Sequence, residues 1–555
     1  MEMGGSGASW PLWVSTTLRG LQRTLSDCGA SSAFCFKESS QKNLRSRDFL
    51  VPRGALRNNF PDGEVPEEVI HKLEAMKASE FLPIKRCAQT EAGLIIQLDR
   101  PCVFQGVLKD FSSYLRPIPT ATDGAQTTFI LNCAPLHACH SLDTFRLGHL
   151  RAVLLADHLA ALLRLRGDQV HLIPPIRNKE VNDLFEQLGI TWPYSTESPS
   201  IEETVTRYKD GLKQHIHTRN ASGEPLQPES ESSQGTSFSV HLKSCSEKHE
   251  LSLSGYDPNI DHFLVSEEDL SHIAQLQISF THILKGDAPC AVLHVVTCEE
   301  EFHQQKLDLL WRLLEAETAA VTQKHLICGP VKVLNPQSLV GCSQYFALRK
   351  SQMREASVMK YGECVKGQGW EEIINSLTSA AIKFELMATP HRTQVILNLE
   401  DTNITTKGTK SGAFVMYNCA RLSTLFDSYT NAVSQGLYPE FPTAGEINYS
   451  SLKEEGEWLL LFNYIMTFPE VLSQAAEISL TSPGIRVTAS TEAVCKFLVN
   501  LSMDFSCYYN RVHILGEPLP HLFSQMFARL QLMKGVSGVL HSALALLHIQ
   551  PLAQI

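Results

Sequence analysis

Phe414, Tyr417 and Arg421 recur at spacings of three and four within GTKSGAFVMYNCARLSTLF, residues 408–426. On a helix those spacings put the three side chains on one face. Rings and a guanidinium together can stack on unpaired bases and hold phosphates, which single-stranded RNA recognition requires. Rings at helical spacing serve a core equally well, so the pattern alone leaves both readings open. Lys407, Lys410, Tyr509, Arg511, Arg529 and Lys534 add cations and a ring of the same use, with Ser411 and Asn418 beside the first group. Tyr508 falls on an apolar helical face with Val494, Phe497, Leu498, Leu501 and Phe505, so it reads as core, while Tyr509 points away.

Other chemistry is thin. Cys133, His137, Cys139 and His140 are spaced as C-x3-H-x-C-H, which fits no common zinc module, so no metal is expected. Walker A, HExxH, GxSxG and a glycine-rich cofactor loop after a strand are all missing, and no cofactor is expected.

The elements that must position these residues change character along the chain. Residues 92–98 read as a strand and 103–115 as a helix. Strand 127–131, helix 147–165 with Gly167 as its C-cap, and strand 170–173 form a βαβ unit and predict a parallel sheet. Strands at 291–296 and 325–328 flank a helix at 302–316. Residues 218–250, centred on a Ser/Pro/Glu/Gln-rich run at 219–235, read as a disordered insertion. From about Glu371 the pattern is mainly helical, with a break and restart at Thr467-Phe468-Pro469-Glu470. A long helix is expected at 522–549, bent or split at Gly535 and Gly538. The divisions expected are 1–118, 119–385 and 386–555: two α/β units and a helical bundle.

The 555 residues suit several domains, and 43% hydrophobic with 19% charged residues is ordinary for a soluble globular chain. A net charge of -11 excludes an overall electrostatic grip on nucleic acid, so RNA binding would need a local basic face. Fifteen cysteines, an odd number without a CxxC pair, argue for reduced thiols in the cytoplasm. A mitochondrial presequence, with several Ser and one acid in the first 25 residues, is the alternative. No apolar run reaches the ~18–20 residues of a membrane span.

The 408–426 run closely resembles the arginyl-tRNA synthetase sequence Asn-Thr-x-Pro-Tyr-x-x-Tyr-Ala-x-Ala-Arg. Ser411, Phe414, Tyr417 and Ala420-Arg421 match; Lys410 and Ala413 depart from the Asn and Pro. The likeness continues through Phe468-Pro469-Glu470-Val471, Tyr508-Tyr509, Arg511-Val512 and Arg529-Leu530 to 544–549. It implies a helical DALR domain that cradles an anticodon loop. Upstream, Arg146-Leu147-Gly148-His149-Leu150-Arg151 is similar to the synthetase run His-x-Gly-His-Leu-Arg, whose two histidines sit at a helix N-terminus and stabilise ATP phosphates. Here Arg146 replaces the first histidine, and the Gly-Asp-Trp-Gly expected after the next strand reads PPIRN. The resemblance therefore implies a degenerate class I Rossmann-like domain. The basic stretch Lys42, Arg45, Arg47 and Arg53 is either a solvated face or, by the same resemblance, a contact to the tRNA elbow.

On these residues the chain is identified as a member of the DALR anticodon-binding domain-containing protein 3 family. That implies a non-catalytic protein that binds arginine tRNAs and delivers them to a partner 3-methylcytidine tRNA methyltransferase. An active ATP-dependent synthetase and a scaffold for protein contacts are the alternatives.

Overall fold

A computed structural model describes residues 10–26, 34–77, 79–119, 126–196, 200–216, 238–283, 289–315, 317–318, 321–334, 340–362, 365–400 and 411–554. The first unit is a four-stranded antiparallel sheet in the order β1-β2-β4-β3, from β1 (Phe36–Lys37), β2 (Phe49–Pro52), β3 (Ile84–Thr90) and β4 (Gly93–Leu98). Leu94, Ile96 and Leu98 alternate inward along β4, giving the sheet one buried face. The helix expected over 103–115 is two pieces, Arg100–Lys109 and a 3-10 turn at Phe111–Leu115. Asp110 divides them because its carboxylate accepts from the Ser112 N–H, capping the second piece.

The second unit is a parallel sheet in the order β13-β10-β9-β5-β6. Its strands are β5 (Thr128–Cys133), β6 (Gln169–Ile173), β9 (Cys290–Thr297), β10 (Thr322–Cys328) and β13 (Arg486–Val487). Helix Leu147–Arg166 joins β5 to β6, and Gly167 closes it at φ 105°. The chain runs from β5 to β6 on one side, while β9 and β10 lie on the other. That reversal opens a crevice beyond the strands' C-terminal ends.

Between β6 and β9 sits a satellite with its own apolar core. Residues 218–237 of the expected disordered insertion lie outside the described residues. The remainder corrects the expectation: β7 (Phe238–His241) pairs antiparallel with β8 (His262–Val265), and helix Leu242–Lys248 follows. Phe238, Val240 and Leu242 turn inward, an alternation that the polar bias of the neighbouring run hid.

The C-terminal part is helical: Gly412–Ser434, Glu455–Leu460 running into a π turn at Leu461–Ile465, Phe468–Ala475, Ala493–Tyr509 and Pro520–Ala545. The last is unbroken through Gly535 and Gly538, against the expected bend or split. Those glycines serve packing instead. A Cβ at Gly535 would lie 2.8 Å from Ile465, and one at Gly538 would lie 3.0 Å from Phe111 of the first unit.

These units share one core, which runs from Leu12 to Leu552. Strand β13, from the helical half, pairs with β10, and the Lys324 ammonium reaches the carbonyls of Ser482 (2.7 Å) and Gly484 (2.6 Å). The chain's last turn docks on the second unit. There the buried Lys383 ammonium donates to the carbonyls of Gly189 (3.2 Å), Leu547 (2.7 Å) and His548 (3.1 Å). His548 pairs with Asp157 at 2.8 Å, and the neighbouring His158 ring bonds the Leu546 carbonyl at 2.8 Å.

Burial holds His158 and His294 neutral, each lowered to about 4. An unfolded histidine protonates near pH ~6.5. The unfolded chain therefore takes up these protons first on acidification. Stability from these sites is fully present above that pH. It falls by about 1.4 kcal/mol per pH unit for each histidine until pH reaches about 4. Urea unfolding should show a lower midpoint at pH ~5 than at pH ~7. An unchanged midpoint would contradict neutral burial of the two rings.

Candidate nucleic-acid interface

Ser411 caps helix Gly412–Ser434 by accepting from the Phe414 N–H at 3.3 Å. Along that helix Tyr417 is half-buried and Arg421 exposed, one turn apart. Arg421 reaches helix Ala493–Tyr509: Nη1 donates to Ser506 Oγ at 3.0 Å, and the guanidinium lies 6.0 Å from the Tyr509 ring centroid. Tyr509 packs on Phe505 while staying half-exposed. Tyr508 is core, its hydroxyl donating to the buried Glu457 at 3.2 Å. Exposed Arg511 curls back to the Cys507 carbonyl at 3.2 Å. Tyr417, Arg421 and Tyr509 thus share one accessible face, with Arg511 exposed just past the end of helix Ala493–Tyr509.

Other sequence candidates leave the contact set. Lys407 and Lys410 lie outside the described residues. Asn418 is fully buried, with Nδ2 donating to the carbonyls of Phe414 (3.0 Å) and Ser502 (3.4 Å), so it ties two helices together. Arg529 is committed inside the bundle, with Nε on Glu457 at 2.8 Å and Nη1 on the His513 carbonyl at 3.2 Å. Lys534 lies 3.4 Å over the Phe441 ring, and burial lowers its pKa. Ser411 is consumed by its cap, and Phe414 is half-buried. In the N-terminal basic stretch, Arg45 pairs with Glu455, Arg47 with Glu38 and Arg53 with Glu64, which leaves Lys42 exposed. Those pairings favour the solvated-face reading.

The face has a continuation that no periodicity announced. Lys360, near the end of helix Cys342–Tyr361, places its ammonium 4.1 Å from the Tyr417 ring centroid and 4.9 Å from that of Tyr361. Tyr361 in turn lies 5.4 Å from Trp370, the rings inclined at 44°. Arg349, three turns earlier on the same helix, ties it to its neighbours. It grips Glu385 through two bonds (2.9 and 2.7 Å) and the Asn398 carbonyl at 3.1 Å. The adjacent Lys-Tyr pair at 360–361 was the available sequence signal.

Arg146, Gly148 and His149 lie at the crevice, where a cleft of about 950 Å³ opens at the N-terminus of helix Leu147–Arg166. Gly148 needs no smallness for packing: a Cβ there would meet only Thr297, at 3.9 Å. A helix N-terminus attracts anions, yet two carboxylates already occupy its approach. Arg146 faces Glu299 at 3.7 Å and His149 faces Glu300 at 3.4 Å. Burial pushes the Glu300 carboxyl up, but bonds from His149 and Thr297 leave it below its ordinary value, hence ionised.

Cys133, His137, Cys139 and His140 are given separate partners. His137 bonds Asn132 at 2.8 Å, Cys139 faces the Ser141 carbonyl, Cys133 is buried, and His140 lies near Glu268. His294, Asp308 and His325 do bring ligand atoms within 4.8 Å of one another. Protein groups already use them. His294 bonds Asn132, Gln304 and Gln323, and Asp308 accepts from Tyr256, Arg312 and His325. Among the described residues, no helix is long and apolar enough to cross a membrane.

Two family models match this chain: the DALR N-terminal domain at residues 12–114 and the DALR anticodon binding domain at residues 415–555. A Mus musculus protein named DALR anticodon-binding domain-containing protein 3 is 44% identical, covering 99% of this chain and 100% of its own length. A Danio rerio protein of that name is 43% identical over 94% of this chain and 93% of its own. The arginine–tRNA ligase of Geobacter metallireducens is 32% identical over 24% of this chain and 21% of the ligase. In fold, the chain is similar to the arginyl-tRNA synthetases of Thermus thermophilus (TM-score 0.59, 15% identity, 97% of this chain and 99% of that one) and Plasmodium falciparum (TM-score 0.56, 12% identity, 99% and 100%). A DALR domain at each end, an arginyl-tRNA synthetase-like fold throughout and near-full-length likeness to these relatives place the chain in the DALR anticodon-binding domain-containing protein 3 family.

Proposed function

We propose that this protein binds tRNA, selects arginine tRNAs, catalyses no aminoacylation, and acts in the cytoplasm as an adaptor presenting the bound tRNA to a 3-methylcytidine tRNA methyltransferase. The carrying observation is the accessible cation–ring face at Tyr417, Arg421 and Tyr509, within the matched anticodon-binding domain. A guanidinium beside an accessible ring can hold a phosphate and stack a splayed base. The non-catalytic part is supported by Glu299 and Glu300, whose charges oppose the phosphates that aminoacylation chemistry would bring to this helix end. The methyltransferase part rests on family resemblance.

Titrating arginine-tRNA transcripts against the full chain tests the reading. Arg421→Ala should weaken binding about tenfold and flatten the salt slope by about one. Equal affinity for all tRNAs would reject the selectivity. Arginine-dependent ATP–pyrophosphate exchange would reject the non-catalytic assignment. Unchanged RNA binding in both Arg421→Ala and Arg511→Ala would transfer the face to protein contacts. Failure to stimulate a copurifying methyltransferase on arginine tRNA would remove the adaptor role.

A further inference from the structure

We propose that the RNA face extends beyond the anticodon-binding domain onto the end of helix Cys342–Tyr361. There Lys360, Tyr361 and Trp370 join Tyr417 as a second stacking step, for an unpaired nucleotide next to the one held at Arg421. The inference rests on the tRNA-binding reading and deepens it. Its residues at 360–370 precede the matched domain, which begins at residue 415.

Three observations carry it. First, the cation is oriented. Lys360 lies over two rings, 4.1 Å from Tyr417 and 4.9 Å from Tyr361, while remaining exposed. Lys350 and Arg354, earlier on the same helix, are both engaged by Glu371. Lys360 has no carboxylate partner among the described residues. Second, a pair of rings adjoins it. Tyr361 and Trp370 lie 5.4 Å apart and half-exposed, and Gly362 (φ 63°) and Gly367 (φ 94°), between them in sequence, adopt left-handed backbone that other residues disfavour. Third, the two steps are in register. Tyr417 and Arg421 are four residues apart on one helix, so the Lys360–Tyr417 and Arg421–Tyr509 pairs follow each other by one turn, ~5.4 Å. Successive rings and cations along a surface are the means by which unpaired strands are tracked. Met359, 85% exposed beside the lysine, offers a further apolar edge to a base.

The test is anisotropy titration of an arginine-tRNA transcript against the full-length protein and its variants, over a range of salt. Tyr361→Ala should bind about tenfold more weakly. Lys360→Ala should flatten the salt slope by about one. Tyr361→Phe and Lys360→Arg, which keep the ring and the charge, should bind as the unaltered chain does. Lys360→Glu alters only an exposed side chain, so its expected loss of binding is not open to a folding explanation. The extension is overturned, with the tRNA reading intact, if Arg421→Ala weakens binding while Lys360→Ala, Lys360→Glu and Tyr361→Ala do not. It is also overturned if those variants release a copurifying protein and leave RNA affinity unchanged. If the unaltered chain binds no tRNA, the underlying reading fails first.

Discussion

Arg151→Met should cost about 3–5 kcal/mol and lower the guanidinium midpoint of the transition that unfolds the parallel sheet. Arg151 is wholly buried on helix Leu147–Arg166 and has no carboxylate partner among its bonds. Its five bonds go to the carbonyls of Gly329 (2.8 Å), Leu386 (3.1 Å), Thr393 (2.6 Å) and Pro390 (3.0 Å) and to the Thr389 hydroxyl (3.2 Å). These acceptors lie where helix Gln368–Met387 turns toward β12 (Val395–Leu397). Methionine fills much of the volume but leaves all five acceptors without their donor in a dry interior. Arg151→Lys should recover only part of the loss, because one ammonium cannot span positions that a planar fork reaches. A midpoint unchanged in Arg151→Met would mean that water or a shifted backbone satisfies the loop instead.

Lys383→Met should be the second most damaging of these changes, at about 3 kcal/mol, with a local signature. Three carbonyls lose their donor, and two of them, Leu547 and His548, belong to the chain's last turn. Hydrogen exchange should therefore accelerate at the Leu547 and Ile549 amides, which bond the Leu544 carbonyl. Exchange in the buried strands β5 and β9 should stay slow. Uniform acceleration across the chain, or none, would argue against a fastening at that end.

Much of the sheet was legible in the sequence. Apolar runs at 127–131, 170–173 and 291–296 overlap β5, β6 and β9, and Gly167 ends its helix where a left-handed residue is needed. Strand β13 was not, because two residues carry no period. Gly535 and Gly538 were misread because a glycine that breaks a helix and one that admits a neighbour are the same letter. The candidate site was readable in its ring–cation spacing and less so in its membership. Arg529 reads as a spare cation until Glu457, 72 residues away, is seen beside it. Tyr417 acquires Lys360 only through tertiary packing, so periodicity along one helix could not have paired them.

A domain recognised by its sequence is not always one that can travel. The segment from residue 415 to the end has a recognisable character of its own, yet its β13 lies on another unit's sheet and its tail hangs on Lys383 and Asp157. A fragment cut at that boundary would carry away unpaired acceptors and a bare strand. Heredity meets the same obstacle. Were the crevice to lose every chemical use, deleting the sheet around it would still strip the helical half of its hydrogen-bond partners, so the lineage would keep a workshop in order to keep its wall.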